Sequence, residues 1–163
     1  MPRIYAVPLS GTITAAGGDT DIWSFQPADD RPIRIRGIRL GQTTEVGDTQ
    51  EEGLRITVRR MTATFTVGSG GGSVTAAAPV GDAGGTTWGF TARSNDTTVA
   101  TTSGTNQVLD EIAWNERNTP YETWYPDTDY APKGKQTEGL VIRCETTLAD
   151  DMTFSGCVWV EEE

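Results

Sequence analysis

The chain has 163 residues, 13 basic and 23 acidic side chains, two cysteines and no histidine. One domain is expected at this length, with a core that needs no metal or disulfide. The formal charge of −10 disfavours a nucleic-acid partner, because phosphate backbones repel it. The missing histidine removes Ser-His-Asp and Cys-His nucleophilic sites, and two cysteines cannot form a four-cysteine metal site.

The charge is unevenly placed. Residues 1–81 carry 8 basic and 8 acidic side chains, whereas residues 82–163 carry 5 and 15. Thr is the most abundant residue and suits pleated strands, while 19 Gly and 8 Pro punctuate turns. Short strands with turn signals between them predict a sandwich or barrel. No apolar run approaches the ~20 residues that cross a bilayer, so no membrane is expected. Met1 to Ser10 is broken by Pro2 and Pro8 and lacks the apolar centre of a signal peptide. Synthesis in a cytoplasm is therefore expected, with lysis by a virus as a route out.

Arg3 to Val7 is the first predicted strand. Asp21 to Phe25 is the second, with Trp23 and Phe25 on one face and Ile22 on the other. A turn at Pro27 to Asp30 leads into Arg31 to Leu40. There Ile33 and Ile35 alternate with Arg34 and Arg36, and the phase shifts after Gly37 to put Ile38 and Leu40 inside, as a β-bulge would. Leu54 to Val67 repeats the pattern: Leu54, Ile56 and Val58 in one phase, Met61, Ala63, Phe65 and Val67 in the other. A bulge or bend near Arg59-Arg60 is expected.

Gly68 to Ser73 reads as a flexible loop, and it lacks the Lys-Ser/Thr end of a phosphate-gripping loop. Val74 to Gly85 carries little pattern. Trp88 to Ala92 and Thr97 to Thr101 read as strands, and 118–134 as a long connection rich in Pro and aromatics. Val108 to Asn115 fits a strand face through Val108, Ile112 and Trp114 or a helical face through Leu109, Ile112, Ala113 and Glu116, and its β surroundings decide for strand. Gly139 to Thr147 and Met152 to Val160 flank Ala149-Asp150-Asp151 and predict a closing hairpin. In that register Cys144 opposes Cys157, close enough for either a disulfide or two free thiols. The hairpin would be apolar on both faces, which calls for cover on both: the core on one side, loops or a subunit interface on the other. The expected fold is all-β, a two-sheet antiparallel sandwich, jelly-roll-like, with about nine or ten short strands in one domain over 1–163.

Two candidate contact surfaces stand out. Arg34, Arg36, Arg39, Arg55, Arg59 and Arg60 lie on two strands expected to be neighbours, so their guanidinium groups would share one polar face. That face could dock on an acidic surface or be balanced by Glu45, Glu51 and Glu52. Tyr121, Trp124, Tyr125 and Tyr130 fall within ten residues, and exposed aromatics anchor protein interfaces or stack on sugars. Asp29, Asp30, Asp110 and Glu111 are the carboxylates a glycosidase could use, although nothing singles them out. Asp19-Thr20-Asp21 and Asp127-Thr128-Asp129 are weak calcium patterns, better suited to turns. No cofactor and no metal is expected.

Asp21-Ile22-Trp23, Pro27-Ala28-Asp29-Asp30-Arg31-Pro32-Ile33, Glu52-Gly53-Leu54-Arg55-Ile56, and Ala113-Trp114-Asn115 through Tyr121, Trp124 and Tyr125 together resemble small structural proteins of tailed bacteriophages and prophages. The resemblance extends to head decoration, or cement, proteins. It implies a non-enzymatic β-sandwich, commonly a homotrimer, on the outer capsid surface of the virion. There it would clamp the major capsid protein against internal pressure. A tail- or fibre-associated module that binds host glycans through the aromatic cluster is the alternative. A carboxylate hydrolase is the third reading.

Overall fold

The computed structural model of the chain describes residues 2–15, 17–43, 52–76, 81, 88–115, 117–118 and 120–163. Among them there are thirteen strands and no helix. In chain order these are β1 (Arg3–Ile13), β2 (Thr20–Gln26), β3 (Ile33–Gln42), β4 (Gly53–Met61), β5 (Phe65–Thr66), β6 (Gly72–Ser73) and β7 (Thr91–Asp96). They continue with β8 (Thr101–Thr102), β9 (Asn106–Asn115), β10 (Tyr121–Trp124), β11 (Lys133–Gly134), β12 (Gly139–Cys144) and β13 (Met152–Glu162). Glu45, Glu51 and most of Val74 to Gly85 lie outside the described residues.

Two antiparallel sheets carry the structure. One, here sheet A, has the order β1-β13-β3-β10, with β11 also on β3; sheet B has the order β6-β7-β2-β12-β4-β9. The all-β sandwich expected from the sequence is therefore the fold. Its core forms because one set of alternating residues on each sheet is apolar. Sheet A contributes Tyr5, Val7, Ile35, Ile38, Phe154, Val158 and Val160; sheet B contributes Trp23, Phe25, Leu54, Ile56, Val58, Leu140 and Ile142. Tyr5, Phe25 and Phe90 meet edge-to-face at centroid separations of 5.9 and 6.2 Å, the geometry that ring quadrupoles favour.

The bulges explain how the phases work. On β3, Ile35 pairs with Val160 and Gly37 with Trp159, so Arg36 is the inserted residue. The shift puts Ile33, Ile35, Ile38 and Leu40 all inside, as the alternation predicts. On β2, Trp23 pairs with Ile142 and Asp21 with Arg143, leaving Ile22 as the insertion. Ile22 is buried in the core together with Trp23 rather than on the opposite face. Near Arg59 the extra residue is Leu109 of β9, and β4 ends at Met61.

The closing hairpin is not formed. β12 lies between β2 and β4 in sheet B, while β13 lies between β1 and β3 in sheet A. Residues 145–151 carry the chain from one sheet to the other. The turn chemistry is present, with the Asp151 amide donating to its neighbour Asp150 Oδ1 at 2.8 Å. A turn signal marks a reversal, however, and does not say whether the next strand pairs or crosses the sandwich. Cys144 therefore pairs with Thr20 and Ile56, and Cys157 with Pro8 and Arg39, on different sheets. Both are free thiols, Cys144 buried and Cys157 half-buried. Burial pushes both thiols up, so both resist thiolate formation. A thiol reagent is expected to label neither readily in the native protein, and both after unfolding. A reducing agent should leave thermal stability unchanged.

The second apolar face is covered by the chain itself. On the outer side of sheet B, Met61 and Val141 pack against Phe65 of β5 and Ala100, the residue before β8, so the β5–β8 ribbon forms the cover. A buried ion network pins that cover. Asp21 accepts from Arg143 Nε at 2.6 Å and from the Ala100 amide at 2.6 Å, and Arg143 donates to the Ala100 carbonyl at 3.0 Å. Asp96, opposite Asp21, is held by Arg93 and by the Gly71 amide at 3.0 Å. The glycine-rich segment 68–73 thus lies against β7. Gly71 has to be glycine, since a Cβ there would collide with the backbone of Ser94 and Asn95.

Thr137 carries a φ of +70°, a left-handed conformation costly for a β-branched residue. Its side chain is exposed, and its carbonyl accepts from the Phe65 amide. Thr137→Gly is expected to stabilise the fold by about 1 kcal/mol, the strain relieved less the entropy that Gly costs. Urea denaturation should show a higher midpoint at unchanged slope.

Candidate functional site

The outer face of sheet A is assembled row by row from the strand register. Ala6, Trp159, Gly37 and Trp124 form one outward row across β1, β13, β3 and β10; Pro8, Cys157, Arg39 and Glu122 form the next. Gly37 sits between the two tryptophans. Any side chain at Gly37 would run into the Trp124 ring, and its absence lets the two indoles meet. Their centroids are 4.6 Å apart with planes inclined at 35°. Arg39 Cζ lies 5.4 Å from the centroid of Trp159, within cation–π range.

Glu122 locks the arrangement. It accepts from Arg39 Nε at 3.3 Å and Nη2 at 3.2 Å, and from Trp124 Nε1 at 2.6 Å. Arg39 first, and Trp124 second, hold its carboxyl below the usual carboxylate range. Trp124 is nevertheless 48% exposed, and Ile4, next to Ala6's row, is 39% exposed. The face is an apolar patch with a polar rim, held on strands rather than on a loop.

The six arginines do not share a face. Arg34, Arg36 and Arg39 are on β3 in sheet A; Arg55, Arg59 and Arg60 are on β4 in sheet B. The two strands have similar alternation, but similarity of pattern does not make strands adjacent. Most of the charges are also met within the chain. Arg36 pairs with Glu161 at 3.2 Å, and Arg34 pairs with Glu163, which also takes Lys133. Arg55 and Arg59 converge on Glu145, and Arg55 also binds Glu111 at 2.7 Å. Arg60 donates to the Gln107 amide oxygen at 2.7 Å and makes no ion pair among the described residues. Glu52 accepts from the Ala149 amide.

The aromatic cluster divides as well, because Tyr121 to Trp124 is strand β10 rather than loop and successive residues alternate. Tyr121 turns inward and packs on the core, as does Tyr125. The Tyr125 hydroxyl donates to Asp110 Oδ2 at 2.5 Å, linking the loop after β10 to β9 of the other sheet. Burial first, and Asp110 second, push the Tyr125 phenol far above its ordinary value. Tyr130, 80% exposed, lies in a turn near Arg34 and Arg60, apart from Trp124. Of the four, Trp124 alone joins the outward patch.

Trp159 and Glu122 complete the patch and were not singled out from the sequence. The signal lay in the alternation of β13, where Ser155, Cys157 and Trp159 take one phase and Phe154, Val158 and Val160 the other. The remaining carboxylates have local roles. Asp29 accepts from Gln136 at 2.6 Å, Asp30 sits in a turn at φ +60°, and Asp110 and Glu111 face Tyr125 and Arg55. Asp127 caps the turn that contains Asp129, and Asp21 is spent on Arg143.

No family model, no curated protein and no solved structure matches the chain.

Proposed function

We propose that this chain is a non-enzymatic virion structural protein that binds the outer capsid surface of a tailed phage and stabilises the head. In this reading it is a jelly-roll-like decoration protein, acts as a homotrimer, and contacts the major capsid protein through the outer face of sheet A. The observation that carries the reading is the outward Trp124–Trp159 pair, Trp124 exposed and Trp159 half-buried, fixed by Gly37, Arg39 and Glu122. Binding surfaces draw most of their energy from a few aromatic and Arg anchors. Anchors held in shape beforehand lose little entropy on contact. The assignment to a phage head rests on the resemblance of Asp21 to Trp23, Pro27 to Ile33 and Glu52 to Ile56 to phage structural proteins.

Undecorated heads are expected to withstand higher temperature after addition of the protein, and light scattering should give three times the 17.5 kDa chain mass. Heads that gain no heat resistance would sink the proposal. A second reading, a tail- or fibre-associated module for host glycans, is favoured by the polar rim of Arg39 and Glu122 around Trp124, since sugars stack on such rings while their hydroxyls bind the rim. A glycan-array signal that Trp124→Ala removes would favour it.

A further inference from the structure

At the side of the sandwich where β9 and β11 end their sheets, a cleft of about 390 Å³ opens between them. Its wall carries the cations Arg34, Arg60 and Lys133, together with Asp129, Tyr130 and Leu109. We propose that this cleft binds a carboxylate-bearing sugar residue.

The charge arrangement argues for a single negative charge on the ligand. Glu163 takes both Arg34 and Lys133, so one carboxylate offsets two cations. Arg60 meets only the neutral oxygen of Gln107 among the described residues. With Asp129 and Glu163 counted against the three cations, the cleft is left with one net positive charge, in a chain whose total is −10. A planar guanidinium suits a carboxylate, which it can grip with two parallel hydrogen bonds. The polyanionic alternative, a phosphate chain, brings several negative charges where the cleft offers one net positive charge.

The rest of the wall suits a sugar. Tyr130 is 80% exposed and Leu109 39%, so an aromatic face and an aliphatic surface stand free beside the cations. The volume falls in the range of small-ligand sites, roughly 300–1,000 Å³. The cleft is built before any ligand arrives. Arg34 Nη1 donates to the Thr128 carbonyl, and the Tyr130 and Ala131 amides both return to the Asp127 carbonyl at 3.3 and 3.2 Å. That fixes the turn bearing Tyr130 against β3. The cleft does not include Trp124, so this inference stands apart from the capsid contact.

The test is an NMR titration of the full chain with galacturonate, with galactose and inorganic phosphate as comparators. Galacturonate is expected to give saturable shifts at Arg60 and Tyr130 with a millimolar Kd, and galactose none. Arg60→Gln should raise the Kd at least tenfold. Tyr130→Ala, at a ring too exposed to matter for folding, should raise it at least threefold. Equal shifts with galactose, no shifts at all, equally tight phosphate, or an unchanged Kd in both variants would overturn the proposal.

Discussion

Trp124→Ala is expected to weaken binding to undecorated heads about 30-fold or more, the loss of roughly 2 kcal/mol that marks an aromatic hot spot. Its thermal midpoint should fall only slightly. The ring is 48% exposed and sits at the end of β10, so the main loss to the fold is its contact with Trp159. Such aromatic pairs are worth about 0.5–1.5 kcal/mol. Trp124→Phe should retain much of the binding, because it keeps a ring over Gly37 while losing the hydrogen bond to Glu122. Tyr130→Ala serves as the control, since its exposed ring lies outside the patch. Cosedimentation with heads separates the variants. Equal binding by wild type and Trp124→Ala would remove the outer face of sheet A as the contact.

Arg143→Met is expected to cost about 3–5 kcal/mol of stability near neutral pH, because it leaves the Asp21 carboxylate buried and unpaired. Arg143 also ties the Ala100 carbonyl, so the cover over Met61 and Val141 should loosen with it. The sign of the pH dependence follows from Asp21. Burial already raises its pKa, with Asp96 adding to the rise and Arg143 opposing it. Without Arg143 the folded-state pKa rises further above the unfolded value. A group with a raised folded pKa contributes stability at low pH and loses it as pH rises through the folded pKa. The deficit of Arg143→Met should therefore shrink on acidification through the acid range. The double variant Asp21→Leu with Arg143→Met should recover part of the stability, since a buried pair is often replaceable by apolar side chains of similar volume, although the Ala100 amide and carbonyl lose their partners. Urea titrations at several pH values read all three outcomes. A deficit that does not depend on pH would contradict the role given to Asp21.

The sequence showed local structure well and long-range placement poorly, for a physical reason. Ile33, Ile35, Ile38 and Leu40 announced both an inward face and a bulge, because alternation and the phase shift at Gly37 are properties of one strand. The pattern of 108–115 fits strand or helix alike, and its β surroundings made the choice of strand that β9 bears out. Which strands neighbour each other is decided by the packing of two sheets, and no single segment encodes it. That is why β12 and β13, and the arginines of β3 and β4, were expected together and lie in opposite sheets. The candidate site was half legible for the same reason. Arg39 is visible as a cation on a strand-like segment, and Trp124 as an aromatic in what reads as a long connection. Their union with Trp159 and Glu122 exists only once β13, β3 and β10 are placed side by side.

Hydroxyl-radical footprinting read by mass spectrometry tests the contact at single-residue level. Trp124 should oxidise readily in the free protein, as its exposure requires. On heads, Trp124 and Trp159 are expected to be strongly protected, with the oxidation of Tyr130 unchanged. Bound protein in which Trp124 oxidises as fast as in solution would rule out the outer face of sheet A as the contact, because the partner would then be seated elsewhere.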